Sequence, residues 1–128
     1  MRLLNLYISE SEKGGRGVFT NEIIAANVTI EIAPVIVMSS ADRKLLDQTL
    51  LHDYIFEWGV TAEECAMALG WIPIYNHASL SNCEYFMDFE AETMFVKTVF
   101  EINPGDELTV NYNGDFNNSN SVWFTKKG

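Results

Sequence analysis

At 128 residues, with 48% hydrophobic and 12% aromatic content, the chain is long enough to fold as one domain around its own core without metal or disulfide staples. Its net charge of −10, from 18 acidic and 8 basic residues, argues against direct nucleic-acid binding and is compatible with a basic, lysine-rich partner, although on charge alone solubility is the better reading. Cys65 and Cys83 stand far apart and form neither a zinc signature nor a disulfide framework, no stretch has the length of a membrane span, and Met1–Ile8 is too short an apolar run for a signal peptide, so an intracellular protein is expected, cytoplasmic if bacterial.

In chain order, Leu3 to Ile8 has strand composition, and Ser9 to Gly17 is a glycine-punctuated turn that leads into a short strand at Val18-Phe19-Thr20. Val28 to Ile32 alternates with period two, Pro34 interrupts, and Val35 to Met38 resumes, which predicts two strands or one bent strand. Ser39-Ser40-Ala41-Asp42 is a helix start, and the spacing of Leu45, Leu46 and Leu50 carries helix as far as His52. Tyr54 to Trp58 predicts a strand, and Thr61-Ala62-Glu63-Glu64 resembles a capping box that opens a helical turn through Met67. After a polar loop at residues 74–83, Tyr85–Glu90 and Thr93–Phe100 predict a hairpin around Ala91-Glu92. Asn103-Pro104-Gly105-Asp106 is a turn, Glu107 to Tyr112 is the last strand, and a polar tail follows with Trp123-Phe124 as an apolar knot. Many short strands and little helix make the chain mainly β.

Four features could carry chemistry. Gly14-Gly15-Arg16-Gly17 leaves backbone open to close approach by a ligand, although a plain hairpin turn has the same composition. Asn76-His77, with Asn82 on the same loop, offers amide donors and acceptors, for an amino-acid-like ligand or for a backbone lock. Tyr112 ends the last strand beside Asn111, where it could hold a hydroxyl over a pocket or simply be an edge tyrosine. Trp123 and Phe124 would dock back onto the domain for the area they bury, or stack on a flat ligand.

The order of these features resembles that of the SET-domain protein-lysine methyltransferases. Gly15-Arg16-Gly17-Val18-Phe19 matches that family's Gly-x-Gly-Val-Phe, and residues 74–82 keep its Asn-His pair and final Asn at the same spacing. Gly105-Asp106-Glu107-Leu108-Thr109-Val110-Asn111-Tyr112 matches its Gly-Asp-Glu-Leu-Thr-Phe-Asp-Tyr. The resemblance covers nearly the whole chain and is greatest to the minimal members of bacteria and large viruses. It implies a β-clip, small curved sheets with a C-terminal pseudoknot formed by the Asn-His loop and the Tyr112 strand. The domain core would run over about residues 1–114, with residues 115–128 docking over the site.

The resemblance further implies methyl transfer from S-adenosylmethionine to the ε-amine of lysine in a basic, histone-like protein or peptide, leaving S-adenosylhomocysteine and requiring no metal. Gly15, Arg16, Gly17, Asn76 and His77 would hold the cofactor, and Trp123 or Phe124 would cover the adenine or close the lysine channel. Tyr112 matches the catalytic tyrosine, and Tyr54 is the candidate for a second channel tyrosine. A homodimer is compatible with this reading, whereas membrane and nucleic-acid partners are not expected. The rival is an inert β-clip module that binds a peptide or protein. Ala78, Ser81, Asn111 and Val110 depart from the family pattern, the last at a position associated with the number of methyls added.

Overall fold

The computed structural model describes residues 1–113, and within them nine strands form two sheets. The first sheet has the order β1-β2-β9-β6, and the second β4-β5-β3-β8-β7. In the first, β1 (Leu6–Glu10) and β2 (Arg16–Thr20) make the expected hairpin across the glycine turn. β9 (Glu107–Val110) runs antiparallel to β2 on one side and parallel to β6 (Asn76–His77) on the other. The strand that carries one motif therefore lies between the strands that carry the other two.

The second sheet is built around β3 (Thr29–Met38), a single ten-residue strand. Residues 29–34 pair with β8 (Thr93–Thr98), and residues 35–38 pair with β5 (Glu64–Ala68). The N-terminus extends the sheet beside the first half of β3, with the Met1 amino group and the Ile32 N–H each donating across at 2.8 Å. Pro34 falls where this short N-terminal pairing has ended and β5 begins. Its carbonyl accepts from Leu69 N–H at 3.0 Å, and its missing N–H faces the junction between the two partners.

β7 (Cys83–Asp88) and β8 form the expected hairpin, closed by Glu92 at φ 54° and by Asp88 accepting from Ala91 N–H. α1 (Ser40–Leu46) has Ser39 as its N-cap, with the hydroxyl accepting from Asp42 N–H. The helix stops earlier than its leucine spacing predicts, and only a 3₁₀ turn at Leu50–Asp53 follows. Neither element buries a residue, so the leucine stripe gains too little from packing to extend the helix.

The helical turn expected at Thr61–Met67 is absent, and Glu64–Ala68 is instead β5. Ala62 takes φ 58°, which ends any helix, and β5 pairs on both sides, with β3 and with β4 (Phe56–Trp58). A strand enclosed in this way buries Cys65, Ala66 and Ala68 without clean alternation, so its sequence resembles a short helix.

Where the two sheets meet, the core includes Val18, Ile30, Met94, Val96, Ile102 and Leu108. A polar cluster is buried beside it. The Glu31 carboxylate accepts from Trp71 N–H at 2.7 Å and from the Tyr75 hydroxyl at 3.0 Å, with Arg2 at 3.9 Å. Burial raises the Glu31 pKa above its ordinary value, an effect that these donors and the arginine partly offset. Gly70, at φ +70°, makes room for this group, since a Cβ there would stand 2.5 Å from Glu31 Oε2.

Gly70→Ala is therefore expected to lower stability by about 2–3 kcal/mol, combining backbone strain with a collision against a buried carboxylate. Gly105→Ala, at φ +88° but with open space around it, should cost only about 1 kcal/mol. Thermal denaturation of the two variants side by side checks the difference. Equal melting temperatures would mean that Glu31 does not constrain position 70.

Candidate active site

The site grows from the three consecutive residues Tyr75, Asn76 and His77. Pro73 sits in the 3₁₀ turn at Ile72–Ile74, and the chain then extends into β6 alongside β9. Because side chains alternate along extended backbone, successive residues address different neighbours.

Asn76 turns toward the glycine turn. Its Nδ2 donates to the Arg16 carbonyl at 3.0 Å and to Glu107 Oε2 at 2.8 Å, and neither bond uses its Oδ1. Glu107 Oε1 accepts from the Ser11 hydroxyl at 2.6 Å, so a single carboxylate ties the β1–β2 turn to β6 through β9. Gly17 is needed for this approach. A Cβ on it would collide with the Glu107 carboxylate and lie 3.0 Å from Asn76 Nδ2. Gly15, at φ +59°, has open space around its would-be Cβ, and the Arg16 side chain is exposed. The two positions thus differ in role: Gly15 serves the turn and Gly17 the contact.

His77 turns toward Tyr112. Its Nδ1 accepts the Tyr112 backbone N–H at 3.0 Å, which places the proton of the neutral ring on Nε2, and the two rings lie 5.1 Å apart. The Tyr112 hydroxyl donates to the Tyr75 carbonyl at 2.7 Å. Tyr112 is therefore fixed at its backbone by one residue of β6 and at its hydroxyl by the residue just before that strand.

The Tyr85 hydroxyl donates to the Tyr112 carbonyl at 3.0 Å, and the Phe56 ring lies 5.2 Å from the Tyr85 ring. Burial pushes the Tyr85 phenol up to about 12, and Glu57 adds to the shift. Burial also holds the Tyr112 phenol well above its ordinary range, with further contributions from Tyr54, Tyr85 and Asp53. With so high a pKa, the Tyr112 hydroxyl is a neutral hydrogen-bonding group at ordinary pH and not a base.

The loop between β6 and β7 is locked by amides. Asn82 Oδ1 accepts from Thr109 N–H at 2.8 Å and Asn82 Nδ2 donates to the Glu107 carbonyl at 2.8 Å, so its side chain pairs with β9 as a neighbouring strand would. Asn111 Nδ2 donates to the Ser79 carbonyl at 3.0 Å. The substituted positions fit this lock: the Ala78 N–H donates to the Val110 carbonyl, and the buried Ser81 hydroxyl donates to the Cys83 carbonyl at 2.7 Å.

The fold brings Gly17, the Arg16 carbonyl, Asn76, His77 and Tyr112 together. Trp123 and Phe124 lie outside the described residues. Glu107 and Tyr85 are site residues that the sequence reading did not single out. The strand alternation that sets Cys83, Tyr85 and Met87 on one face was the available signal for Tyr85.

A buried tyrosine just past a strand that lies between two others, its hydroxyl held by the residue before the asparagine that reaches the glycine turn, joins the three motifs in the arrangement of a SET domain. The SET domain pattern matches residues 15–113, and the chain belongs to that family. It is 32% identical over 120 residues to the Schizosaccharomyces pombe histone-lysine N-methyltransferase specific for H3 lysine-37, an alignment covering 93% of this chain and 76% of the relative. Among solved structures, a Plasmodium falciparum protein assigned as a histone methyltransferase matches with TM-score 0.64 and 26% identity, over 86% of this chain and 98% of that one. A humanized mutant of the Chaetomium thermophilum Polycomb Repressive Complex 2 bound to the inhibitor GSK126 shares the fold, with TM-score 0.69 and 16% identity over 84% of this chain, which spans 14% of its length.

The amide lock has a direct test. Asn82→Ala should lower stability by about 2–3 kcal/mol, because it removes two well-formed bonds and leaves buried backbone groups unpaired. Hydrogen exchange should show the Thr109 amide losing protection ahead of Val18. Unchanged exchange at Thr109 would show that β9 holds without Asn82.

Proposed function

We propose that this protein-lysine methyltransferase uses S-adenosylmethionine and methylates the ε-amine of a lysine in a basic, histone-like protein or peptide. The observation that carries the reading is the placement of Tyr112, buried against the Tyr75 carbonyl and backed by His77, with Asn76 of the same strand reaching the glycine turn. The family relationship and the name of the fission yeast relative support the substrate class.

The residues present fit the cofactor. Gly17 presents backbone where no side chain is tolerated, and Asn76 keeps its amide oxygen for an ammonium donor. Gly15, the Arg16 backbone and His77 complete the cradle, and Trp123 or Phe124 would cover it. When bound, the cofactor supplies a methyl group on a positively charged sulfur, open to in-line displacement.

The protein's own part is alignment. Transfer requires a neutral amine held in line with the methyl–sulfur bond, chiefly a problem of orientation. Phe56 and Tyr85, their rings 5.2 Å apart, would partly desolvate the incoming lysine and favour its uncharged form, with Tyr54 as the proposed second channel tyrosine. The Tyr112 hydroxyl donates its hydrogen bond to the Tyr75 carbonyl and stays a neutral phenol, so toward a substrate it would act as an acceptor that orients the amine. A hollow lined by Glu10, Glu12, Lys13, Phe19, Asp106 and Glu107 adds an acidic surface suited to a basic peptide.

Calorimetry should show S-adenosylmethionine binding to the wild type, weakened at least tenfold by Asn76→Ala; no binding to the wild type would favour the inert module. Labelled-methyl transfer to core histones should fall by about two orders of magnitude in Tyr112→Phe. Unchanged turnover would remove the catalytic assignment. Turnover should also climb with pH as the substrate amine loses its proton, without any limb from Tyr112 up to its ordinary value of 10.0, because its ionisation is displaced upward. A limb near neutrality that disappears in Tyr112→Phe would contradict this.

A further inference from the structure

Tyr75 uses both of its ends. Its carbonyl accepts the Tyr112 hydroxyl at 2.7 Å, and its own hydroxyl, fully buried, donates to Glu31 Oε1 at 3.0 Å. The other Glu31 oxygen accepts from Trp71 N–H at 2.7 Å, so one carboxylate grips both the start and the end of the turn that delivers Tyr75. Glu31 is 1% exposed, and Gly70 is left without a side chain where Glu31 would meet one. On the outer side, Arg2 approaches Glu31 and sits over the Trp71 ring, its Cζ 3.6 Å from the ring centre.

A bare hydrophobic anchor would hold Tyr75 in the core equally well, and phenylalanine would need no partner. Burying a carboxylate is costly unless its bonds are made, and here each of its oxygens has a donor. What the arrangement adds is direction. Glu31 fixes the depth and rotation of Tyr75 and, through the same residue's backbone, the carbonyl that orients the Tyr112 hydroxyl.

We propose that Glu31 is a positioning residue for the methyl-transfer site, acting through Tyr75 on the hydroxyl of Tyr112. The inference rests on the reading of Tyr112 as the catalytic tyrosine, but its geometric content does not depend on turnover. Glu31 lies on β3 of the second sheet and Tyr112 just beyond β9 of the first, so this chain of bonds also links the two sheets at the site.

The test reads the Tyr112 hydroxyl directly. With tyrosine labelled at Cζ, the five ring signals can be assigned by single Tyr→Phe deletions and compared in Tyr75→Phe, Glu31→Gln and a distant core control, Ile102→Val. The Tyr112 signal is expected to move in the first two variants and to stay fixed in the control. Turnover on core histones should fall about tenfold in Tyr75→Phe, with KM for histone and for S-adenosylmethionine within about twofold, as for a misaligned and not an absent group. Glu31→Gln, which keeps volume and one acceptor, should lose less. An unmoved Tyr112 signal in either folded variant would overturn the proposal, as would a loss confined to KM. If the signal moves while Tyr112→Phe itself leaves turnover unchanged, the positioning stands and the catalytic reading fails.

Discussion

β9 is held on one side by a real strand and on the other largely by side-chain amides, and the site depends on that arrangement. β2 pairs with it in ordinary antiparallel fashion, whereas β6 contributes only two residues, too few to fix a register alone. Asn82 completes the parallel side by presenting an acceptor to Thr109 and a donor to the Glu107 carbonyl, and Asn111 reaches back to the Ser79 carbonyl. An amide can do this because it carries donor and acceptor in one plane, as the backbone does. With β9 pinned, Glu107 meets Ser11 and Asn76, and Tyr112 meets His77 and Tyr75. If β9 slipped by one residue, all of these side chains would turn to the opposite face.

Two carboxylates, Glu31 buried and Glu107 half-buried, organise the surroundings in different ways. Glu107 is bonded by neutral donors, Ser11 and Asn76, and draws the glycine turn against the knot. Glu31 is sealed beneath the turn at residues 70–75 and satisfied by a backbone N–H and a phenol. Both impose a glycine on their neighbour, Gly17 in one case and Gly70 in the other. No side-chain polar atom among the described residues is buried without a partner, and such a network holds its members in a single arrangement. That rigidity is what a reaction governed by alignment requires.

Much of the fold was legible locally. The β1–β2 hairpin, the β7–β8 hairpin, the serine-capped helix and the Pro104-Gly105 turn all rest on short-range chemistry that a sequence displays. The failures are equally instructive. Glu64–Ala68 looked helical because a strand paired on both sides has no solvent face to mark its alternation. The helix was overextended because leucine spacing does not reveal whether anything will pack on it. The order of the motifs singled out Gly17, Asn76, His77 and Tyr112, which the fold brings together, whereas Tyr85 and Glu31 belong to no motif, and Tyr75 and Glu107, although part of one each, were not recognised for the bonds they make.

By itself the sequence determined the mainly β class, the three motifs and their family, because each depends on residue type and spacing along the chain. Only the tertiary structure decided that Asn76 and His77 serve opposite ends of one site, that Asn82 replaces a strand, and that Glu31 stands behind Tyr75. Those pairings join residues 25 to 60 positions apart. A buried polar group declares its partner only when the chain has folded, since its need for a hydrogen bond is general and only the packed geometry says which group can meet it.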